Sequence, residues 1–395
     1  MKVLIINSGS SSIKFKLLDM PSETMVCTGL VERIGASASQ LSYSTGDTKI
    51  LKSHDLKNHR QGLEKVVEIL MDSEVGVIAR KEEIEVVGHR VVHGGKTFSE
   101  TVEINGGVKK EIEEFSTLAP LHNPPNLEGI LVAEELFPQA TQIAVFDTAF
   151  HRSIPQKAKR YAIPDPLYVE HGIQVYGFHG ISHEYVSKKA NDYLRLQRSK
   201  IITIHLGNGC SMTAVKNRES VDHSMGFSPN EGLIMGTRSG DIDQGVIFHL
   251  ISHLGYDPEE VNTLLTKQSG MLGLTGYSDL RDIESRALAG DTVCTLALEM
   301  NAYRIRKYIG AYAAAMNGLD ALVFTAGIGE NSSKMRKLIC ADMEFLGIDL
   351  DEDKNDIKSD QLRSLNSTTS KVQILVVPTN EELEIAKQAY RLKMA

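Results

Sequence analysis

The sequence has few cysteines and no long hydrophobic segment. Its four cysteines, no two of which have CxxC spacing, are Cys27, Cys210, Cys294 and Cys340. This scatter favours free thiols in a reducing compartment over disulfides or a zinc site. No run of about 18 apolar residues is present for a membrane span, and the short run Val3–Ile6 is too brief for a signal peptide. We therefore expect a cytoplasmic protein without a membrane partner.

An excess of positive charge is also missing. The formal net charge is -8 at pH 7, so composition gives no reason to expect a nucleic acid as partner. Hydrophobic residues make up 42% of the chain, an ordinary fraction for a globular protein. Because a single core rarely grows to 395 residues, the length predicts two domains.

Glycine- and serine-rich turns follow apolar β-rich runs at two places about half a chain apart. The first run, KVLII from Lys2, leads through NSGSSS into the alternating segment IKFKLLD. The segment KIITIHLGNGCSMTAVK, which begins at Lys200, can be laid on it with Gly207 over Gly9. A repeat of such a long period predicts two domains of related build and not a solenoid.

A third strand–glycine–helix segment runs from Ala321 to Ile339, and amphipathic stretches elsewhere predict helices. The main stretches, the last of them preceded by a potential N-cap at Asn380, are Arg60–Met71, Gln244–Leu254, Thr292–Met316 and Glu381–Lys393. The charged run Asp351–Asp356 predicts a solvated loop. Because strands alternate with helices, the chain is predicted to be of the α/β class.

Three turns could bind phosphate: NSGSSS, HLGNG and GIGEN. Glycine and serine let backbone N–H groups approach a phosphate closely. None of the turns has the GxxxxGK[ST] spacing of a P-loop or the full GxGxxG spacing of a dinucleotide site. A tight hairpin is the alternative for each turn, but three of them, each directly after an apolar run, favour a nucleotide site. Lys14, which follows the first turn, could supply a cation to the phosphates.

Several charged side chains lie in glycine-rich or strand-end positions. Glycine flanks Arg90 in GHRVVHGG and Arg238 in MGTRSGDID, and such arginines can bind a carboxylate or phosphate through two parallel hydrogen bonds. Helix caps or surface ion pairs are the alternative.

Asp147 follows the apolar run Ile143–Phe146, a position that suits a catalytic carboxylate or a helix N-cap. His179, in YGFHGISH, could donate to a transferring phosphoryl group. No HExxH glutamate accompanies the histidines, so histidine-bound zinc is not expected.

In this order the segments resemble the acetokinase family of the acetate and sugar kinase, Hsp70 and actin superfamily. They span nearly the whole chain: NSGSSSIKF, GHRVVHGG, APLHNPPN, VFDTAFH, YGFHG, HLGNGCS, MGTRSGDID, GIGEN and PTNEEL. Two positions depart from the family pattern. Ile181 replaces the usual threonine, and FSPNEGL at Phe227–Leu233, near the expected acid pocket, replaces a TPLEG-like run. The resemblance implies an α/β fold of two related ribonuclease H-like, actin-like ATPase domains, with duplicated ββ-turn phosphate loops and an interdomain cleft.

The resemblance also implies boundaries and an activity. Residues 1–150, joined by the C-terminal helix 382–395, would form the N-terminal actin-like domain, and residues 151–381 the nucleotide-binding domain. The chain would transfer the γ-phosphoryl group of ATP to acetate, giving acetyl phosphate and ADP, with Mg²⁺ (or Mn²⁺), as a homodimer. Propionate or butyrate as the acid, pyrophosphate as the donor, and a non-enzymatic actin-like or chaperone-like nucleotide switch are the alternatives.

Site residues follow from the same resemblance, position by position. Asn7 and Glu381 would bind the metal, with Glu382 as the alternative to Glu381. The residues implied at the phosphates and adenosine are Ser10, Ser12, Lys14, His205, Leu206, Gly207, Asn208, Gly209, Asp279, Leu280, Arg281, Gly327, Ile328, Gly329, Glu330 and Asn331. Those implied at the acid are Arg90, Val92, Leu121, His122, Phe178 and Pro229.

Catalysis is assigned to Arg90, Asp147, His179 and Arg238. A carboxylate is already anionic near pH 7, so direct in-line transfer needs no strong base and depends on positioning and charge stabilisation. Arg90 would then orient the acid, while Arg238 and His179 stabilise the transferring phosphoryl group. Asp147 would serve as an acid or base, or equally well in an orienting or metal-linked role.

Overall fold

The computed structural model describes residues 1–36 and 38–395. Within these ranges the strands are β1 Lys2–Ser8, β2 Ser12–Asp19, β3 Thr24–Glu32, β4 Ser39–Thr45, β5 Thr48–His54, β6 Ile84–Val91, β7 Val102–Glu103, β8 Thr141–Phe146, β9 Lys200–Leu206, β10 Cys210–Lys216, β11 Glu219–His223, β12 Ala321–Thr325, β13 Arg363–Ser364 and β14 Gln373–Val376. The helices are α1 His59–Leu70, α2 Gly106–Glu114, α3 Asn123–Leu136, α4 Gln156–Lys159, α5 Asp165–Val169, α6 Gly180–Leu194, α7 Gln244–Leu254, α8 Pro258–Lys267, α9 Gly270–Thr275, α10 Leu280–Leu288, α11 Thr292–Met316, α12 Ala326–Asn331, α13 Ser333–Cys340, α14 Glu352–Asp356 and α15 Glu381–Met394.

The chain divides into two units. Unit 1 consists of Met1–Phe150 and Asn380–Ala395, and unit 2 of His151–Thr379. The sheet of unit 1 has the order β5-β4-β3-β2-β1-β6-β8-β7, and that of unit 2 the order β11-β10-β9-β12-β14-β13. In unit 1, β1, β6 and β8 run parallel and their neighbours antiparallel. In unit 2, β9, β12 and β14 run parallel in the same way. The six strands of the second sheet thus repeat the order and directions of β3-β2-β1-β6-β8-β7.

Strand β1 is covered on both faces, which explains its continuous apolar run. Leu4 and Ile6 belong to the core that α1 and α3 close. On the other face, a Cβ on Gly88 would lie 2.8 Å from Ile5 and 3.0 Å from Ile385 of α15. Glycine at this place in β6 therefore lets α15 lie close to the sheet.

The repeated strand–turn–strand segments differ by one residue in the turn. In unit 1 the closing strand pair is Ser8 with Ile13, whereas in unit 2 it is Leu206 with Cys210. The gapless overlay drawn from the sequence is therefore right for β9 but one residue out of register for β10. Ser211, opposite His205, takes the place that Lys14 takes opposite Asn7.

The predicted helices are confirmed with small shifts at their ends. The stretches predicted at residues 60–71, 244–254, 292–316 and 381–393 correspond to α1, α7, α11 and α15. Asn380 caps α15, because its side-chain oxygen accepts a hydrogen bond from the N–H of Leu383 at 3.2 Å. The third glycine segment forms β12, α12 and α13, and Ser332 separates the two helices.

The expectation of a solvated loop at Asp351–Asp356 is wrong. Residues Glu352–Asp356 form α14, since Asp351 accepts a hydrogen bond from the N–H of Lys354 at 3.1 Å and acidic residues occupy the first turn. Asn355 lies inside, only 2% exposed, and accepts a hydrogen bond from Nε of Arg336 at 2.8 Å. The charge density of this segment obscured a helix-capping pattern.

The cysteines are free thiols, as the sequence predicts: Cys27, Cys210, Cys294 and Cys340 are all buried. Burial raises the pKa of the Cys27 and Cys210 thiols to about 11, so both remain protonated at neutral pH. Across residues 1–36 and 38–395, no helix combines the length and apolar character needed to cross a membrane.

Candidate active site

Arg90 and Asp147 lie at the carboxyl ends of neighbouring parallel strands in unit 1. Arg90 is the second-last residue of β6, and Asp147 follows β8 directly, with its N–H donating to the carbonyl of Val91 at 2.9 Å. The Arg90 guanidinium donates to the Asp147 carboxylate through Nε at 3.2 Å and also through Nη2. Oε2 of Glu381 lies 3.9 Å from Nε of Arg90. The sequence-predicted Arg90, Asp147 and Glu381 are thus brought together.

The electrostatics of this group keep Arg90 charged. Asp147 is only 1% exposed, and burial raises the pKa of its carboxyl while the neighbouring Arg90 opposes that effect. Burial works to lower the pKa of Arg90, but Asp147 and Glu381 outweigh it and raise that pKa. Among the described residues, Nη1 of Arg90 has no hydrogen-bond partner. This nitrogen can therefore bind a further anion.

Two asparagines of α3 bind the backbone that follows Arg90. Asn126 accepts a hydrogen bond from the N–H of Val92 at 3.1 Å and donates to the carbonyl of Ser8 at 2.6 Å. Asn123 accepts from the N–H of His93 and donates to its carbonyl, both at 3.0 Å. Neither residue was predicted from the sequence. Their spacing at the start of a helix was the only available signal, because their partners are distant in sequence.

The predicted acid-binding residues of unit 1 lie near the start of α3 and after β6. Val92 is 7% exposed, His122 is half-buried directly before α3, and Leu121 is 57% exposed. The other two predicted acid-binding residues belong to unit 2, where Phe178 is 2% exposed and Pro229 is half-buried.

The first glycine turn is fixed by α1. The N–H of Gly9 donates to the carbonyl of Ser12 at 2.8 Å, and Nε2 of His59 donates to the carbonyl of Gly9 at 2.6 Å. Ser10 is exposed at the tip of this turn. Asn7 ends up half-buried near the end of β1. The predicted phosphate-binding Ser10 and Ser12 and the predicted metal ligand Asn7 therefore lie within one short segment.

Two neighbouring lysines of β2 differ in their environment. Lys14 is exposed, whereas Nζ of Lys16 lies 3.2 Å from Oε2 of Glu382 and 3.3 Å from Oδ1 of Asn380. The carboxylate of Glu382 therefore pairs with Lys16, whereas that of Glu381 lies near Arg90.

In unit 2, Arg238 and His179 converge on the second glycine turn. A Cβ on Gly209 would lie 3.1 Å from Nη2 of Arg238 and 3.5 Å from Nε2 of His179. Nη1 of Arg238 also donates to the carbonyl of Pro229. A side chain at position 209 would therefore point into the space that both groups face.

The loop that carries Arg238 packs directly on this turn. The N–H of Gly236 donates to the carbonyl of Asn208 at 2.9 Å. A Cβ on Gly236 would come within 1.9 Å of Oδ1 of Asn208. The two glycine-rich segments MGTRSGDID and HLGNG therefore form one surface, in which glycine permits the backbones to touch.

A cavity of about 630 Å³ opens beside this turn in unit 2, a volume typical of small-molecule sites. The sequence-predicted residues that line it are Gly207, Asn208, Asp279, Leu280, Arg281, Gly327, Ile328 and Asn331. The lining residues that were not predicted from the sequence are Cys210, Met235, Gly236, Met271, Ser278, Glu284, Asn301 and Ser332. They come from separate segments that only the fold unites.

Other predicted nucleotide residues lie outside the cavity lining. His205 and Leu206 are buried in β9. Gly329 lies within α12, and the Glu330 carboxylate accepts hydrogen bonds from the N–H groups of Ala326 at 2.9 Å and Thr379 at 3.1 Å. Glu330 thus fixes the start of α12, close to the cavity-lining Gly327.

Comparison with known proteins gives consistent matches over the full length. The model of the acetokinase family matches residues 2–387. The chain is 61% identical over 392 residues to an acetate kinase from Flavobacterium johnsoniae, with 99% of both chains covered. It is similar to the crystal structure of Porphyromonas gingivalis acetate kinase, with a TM-score of 0.94, 45% identity and 99% of both chains covered. It is also similar to that of a propionate kinase from Francisella tularensis, with a TM-score of 0.93, 40% identity and 99% of both chains covered.

Proposed function

Because this chain belongs to the acetokinase family, we propose that it is an enzyme that transfers the γ-phosphoryl group of ATP reversibly to acetate. The products are acetyl phosphate and ADP. The observation that carries the proposal is a pair of arginines in two anion sites: Arg90 beside Asp147 in unit 1, and Arg238 beside the Gly209 turn in unit 2. One arginine suits the carboxylate acceptor and the other the transferring phosphoryl group.

The acceptor needs orientation more than activation. A carboxylate oxygen of acetate attacks the γ-phosphorus, a P–O bond forms, and the bond to the β-phosphate oxygen breaks in line with it. Arg90 binds the acid through Nη1 while Asp147 fixes the guanidinium from the other side. The buried side chains of Val92 and Phe178 are proposed to contact the methyl group of acetate. Asp147, bound to Arg90, acts as an orienting residue.

The donor is proposed to bind in unit 2. Backbone N–H groups of the HLGNG turn contact the phosphates, and Arg238 and His179 stabilise charge on the equatorial oxygens. The cavity beside the turn, with apolar Met235, Leu280 and Ile328 in its lining, suits an adenosine group. Pyrophosphate would have no use for that cavity, so its presence supports ATP as the donor.

The proposed metal is Mg²⁺, with Asn7 and Glu381 as its protein ligands. An amide oxygen and a carboxylate are the hard oxygen donors that Mg²⁺ takes, and the ion commonly completes its shell with water and phosphate oxygens. The residues present therefore fit the ion. Glu382 fits less well, because its carboxylate lies 3.2 Å from Nζ of Lys16. When bound, the ion neutralises charge on the β- and γ-phosphates.

We also propose that the chain forms a homodimer and acts in the cytoplasm. No residue of α7 is buried, although its sequence QGVIFHLISHL is apolar, and Phe248 and Leu254 are 64% and 59% exposed. Exposed apolar surface of this kind is typical of subunit interfaces, and a second copy of the chain would cover it. The free cysteines suit a reducing compartment.

A hydroxamate assay tests the proposed activity. The purified protein, given Mg²⁺, ATP and acetate, should produce acyl phosphate that hydroxylamine traps, and pyrophosphate in place of ATP should produce none. Propionate is the second candidate acid, because of the similarity to a propionate kinase structure. Absence of acyl phosphate with either acid, together with ATP-dependent binding of another protein, would instead support a nucleotide switch.

A further inference from the structure

A cluster of histidines lies directly behind the proposed phosphoryl site of unit 2. The histidine cluster consists of His151, His179, His183, His205 and His223, whose neighbouring ring centroids are 4.1 to 6.0 Å apart. His151, His183 and His223 are buried. Burial lowers the pKa of His151 to about 4 and lowers the pKa values of His183 and His223 well below their usual value. These three rings are therefore neutral, and each has one N–H group and one lone pair.

His151 and His223 bind the two backbone polar groups of Phe178. Nε2 of His151 donates to the carbonyl of Phe178 at 2.9 Å, and Nε2 of His223 accepts from the N–H of Phe178 at 3.0 Å. The two rings must therefore have opposite tautomers. Nδ1 of His151 accepts from the Ser220 hydroxyl at 2.9 Å, and Nδ1 of His223 donates to the Thr213 hydroxyl at 2.8 Å. All four ring nitrogens are used.

The segment that this pair fixes has an unusual backbone. Gly177 and His179, on either side of Phe178, have φ values of +77° and +54°. A Cβ on Gly177 would lie 2.6 Å from Cγ of His151, so the backbone and the ring are in close contact. A non-glycine residue such as His179 is disfavoured in the left-handed region and needs surrounding contacts to keep it there.

The ring of His179 is fixed separately, through Ser211. Oγ of Ser211 lies 2.9 Å from Nδ1 of His179 and 2.7 Å from Nε2 of His183, and Nδ1 of His183 lies 2.7 Å from Oγ1 of Thr203. Ser211 carries one hydroxyl proton. These distances allow donation in either direction along the chain of hydrogen bonds. In one direction, His183 donates to Ser211 and the Ser211 proton is donated to Nδ1 of His179. Nε2 of His179 then carries the proton and faces the Gly209 turn and Arg238.

We propose that His151, His183, His223 and Ser211 are positioning residues that fix Phe178 and present the Nε2–H of His179 to the transferring phosphoryl group. The inference rests on the proposed function, since that function supplies the anionic oxygen to which His179 donates. It extends that function with residues that act through Phe178 and His179.

Kinetics of Ser211 variants test whether Ser211 acts through His179. Ser211→Ala should lower kcat roughly 10- to 100-fold, because small misplacements of a catalytic group have effects of that size. The KM values for ATP and acetate should change little. Ser211→Thr, which keeps the hydroxyl, should recover most of the rate. In a His179→Gln background, Ser211→Ala should cause no further loss, because the group that it positions is already absent.

Additive losses in that double-mutant cycle, or wild-type kcat in a folded Ser211→Ala protein, would overturn the role of Ser211. Wild-type formation of acetyl phosphate is measured in the same assays. Failure of the proposed function would therefore appear in the wild type itself, and failure of the positioning role only in the variants.

Imidazole ¹⁵N NMR on the wild-type protein gives a readout that needs no activity. The His179 signals, identified by their loss in His179→Gln, should show the Nε2–H tautomer. Thr213→Val is the control: it removes the hydroxyl that binds Nδ1 of His223, and His179 should keep the Nε2–H tautomer in this variant. Ser211→Ala should give averaged tautomers. An Nδ1–H tautomer of His179 in the wild type would overturn the proposal, whether or not any variant folds.

Discussion

The guanidinium of Arg90 donates through Nε and Nη2 to the carboxylate of Asp147, which is almost wholly buried. This contact occupies both carboxylate oxygens of Asp147 and leaves Nη1 of Arg90 for a ligand. A residue placed in this way orients its neighbour and is poorly placed to take a proton from the substrate. Because the carboxylate substrate has no proton to give near pH 7, the chemistry and the geometry agree.

Asp147→Asn should therefore impair acid binding. The amide keeps the shape of the side chain but loses the charge and one acceptor oxygen, and a hydrogen bond to a charged group contributes about 1.5–3 kcal/mol. We expect the KM for acetate to rise roughly 10- to 100-fold while the KM for ATP changes little. Initial-rate kinetics with each substrate varied in turn check this. A lower kcat with unchanged acetate KM would instead indicate an acid–base role for Asp147.

Arg238→Ala should act mainly on the chemical step. Its guanidinium lies beside the Gly209 turn, and loss of a charge-stabilising donor there should lower kcat by about 10²–10⁴, with a smaller change in the KM for ATP. Arg218→Ala is the matched control, because the side chain of Arg218 is about half exposed and pairs with Asp192 at the surface. Near-wild-type kcat in Arg238→Ala would contradict the proposed role.

Val92→Ala should broaden the choice of acid. The shorter side chain leaves room for one more methylene, so the ratio of kcat/KM for propionate over acetate should rise by roughly a factor of ten. Val91→Ala is the control: Val91 is fully buried in the separate core beside Phe98 and Phe146. It should lower stability without changing the ratio. An unchanged ratio in Val92→Ala would remove Val92 from the acid pocket.

His89 should make stability depend on pH. Burial lowers its pKa to about 4, and Nε2 donates to the side chain of Gln142 at 2.8 Å. Since the unfolded value is about 6.5, the unfolded chain binds this proton more readily. The contribution to stability is complete above about pH 6.5 and is lost as pH falls through about 4.

His89→Gln isolates this contribution. Between pH 7 and pH 4, the unfolding free energy of the wild type should fall by roughly 2–3 kcal/mol more than that of the variant. Urea denaturation at both pH values measures the difference, in which the other titrating groups cancel. An equal fall in both proteins would show that His89 does not carry a lowered pKa.

Much of this molecule could be predicted from its sequence, because the signals were local. The α/β class was predicted from the alternation of strands with helices. The family and its kinase activity were predicted from the resemblance that the ordered segments carry, and the family match confirms the family. Strand β1, the turn after it and β2 could be predicted, because an apolar run, a glycine–serine turn and an alternating segment follow one another. Helices α7 and α11 were predicted from their periodicity.

The features that could not be predicted from the sequence depend mainly on contacts between segments that are distant along the chain. Asn123, Asn126 and Ser211 have partners that lie far away along the chain. The one-residue difference between the two glycine turns became visible only in the strand register. Helix α14 was missed because capping by Asp351 and the burial of Asn355 are invisible in a charged run.

The most direct test of the central claim is the acid specificity of the wild-type enzyme. With Mg²⁺ and ATP at saturating concentration, kcat/KM should be measured for acetate, propionate and butyrate. We predict the highest value for acetate, with a decrease of roughly tenfold for the first added methylene. A higher value for propionate or butyrate would contradict the assignment of acetate as the substrate.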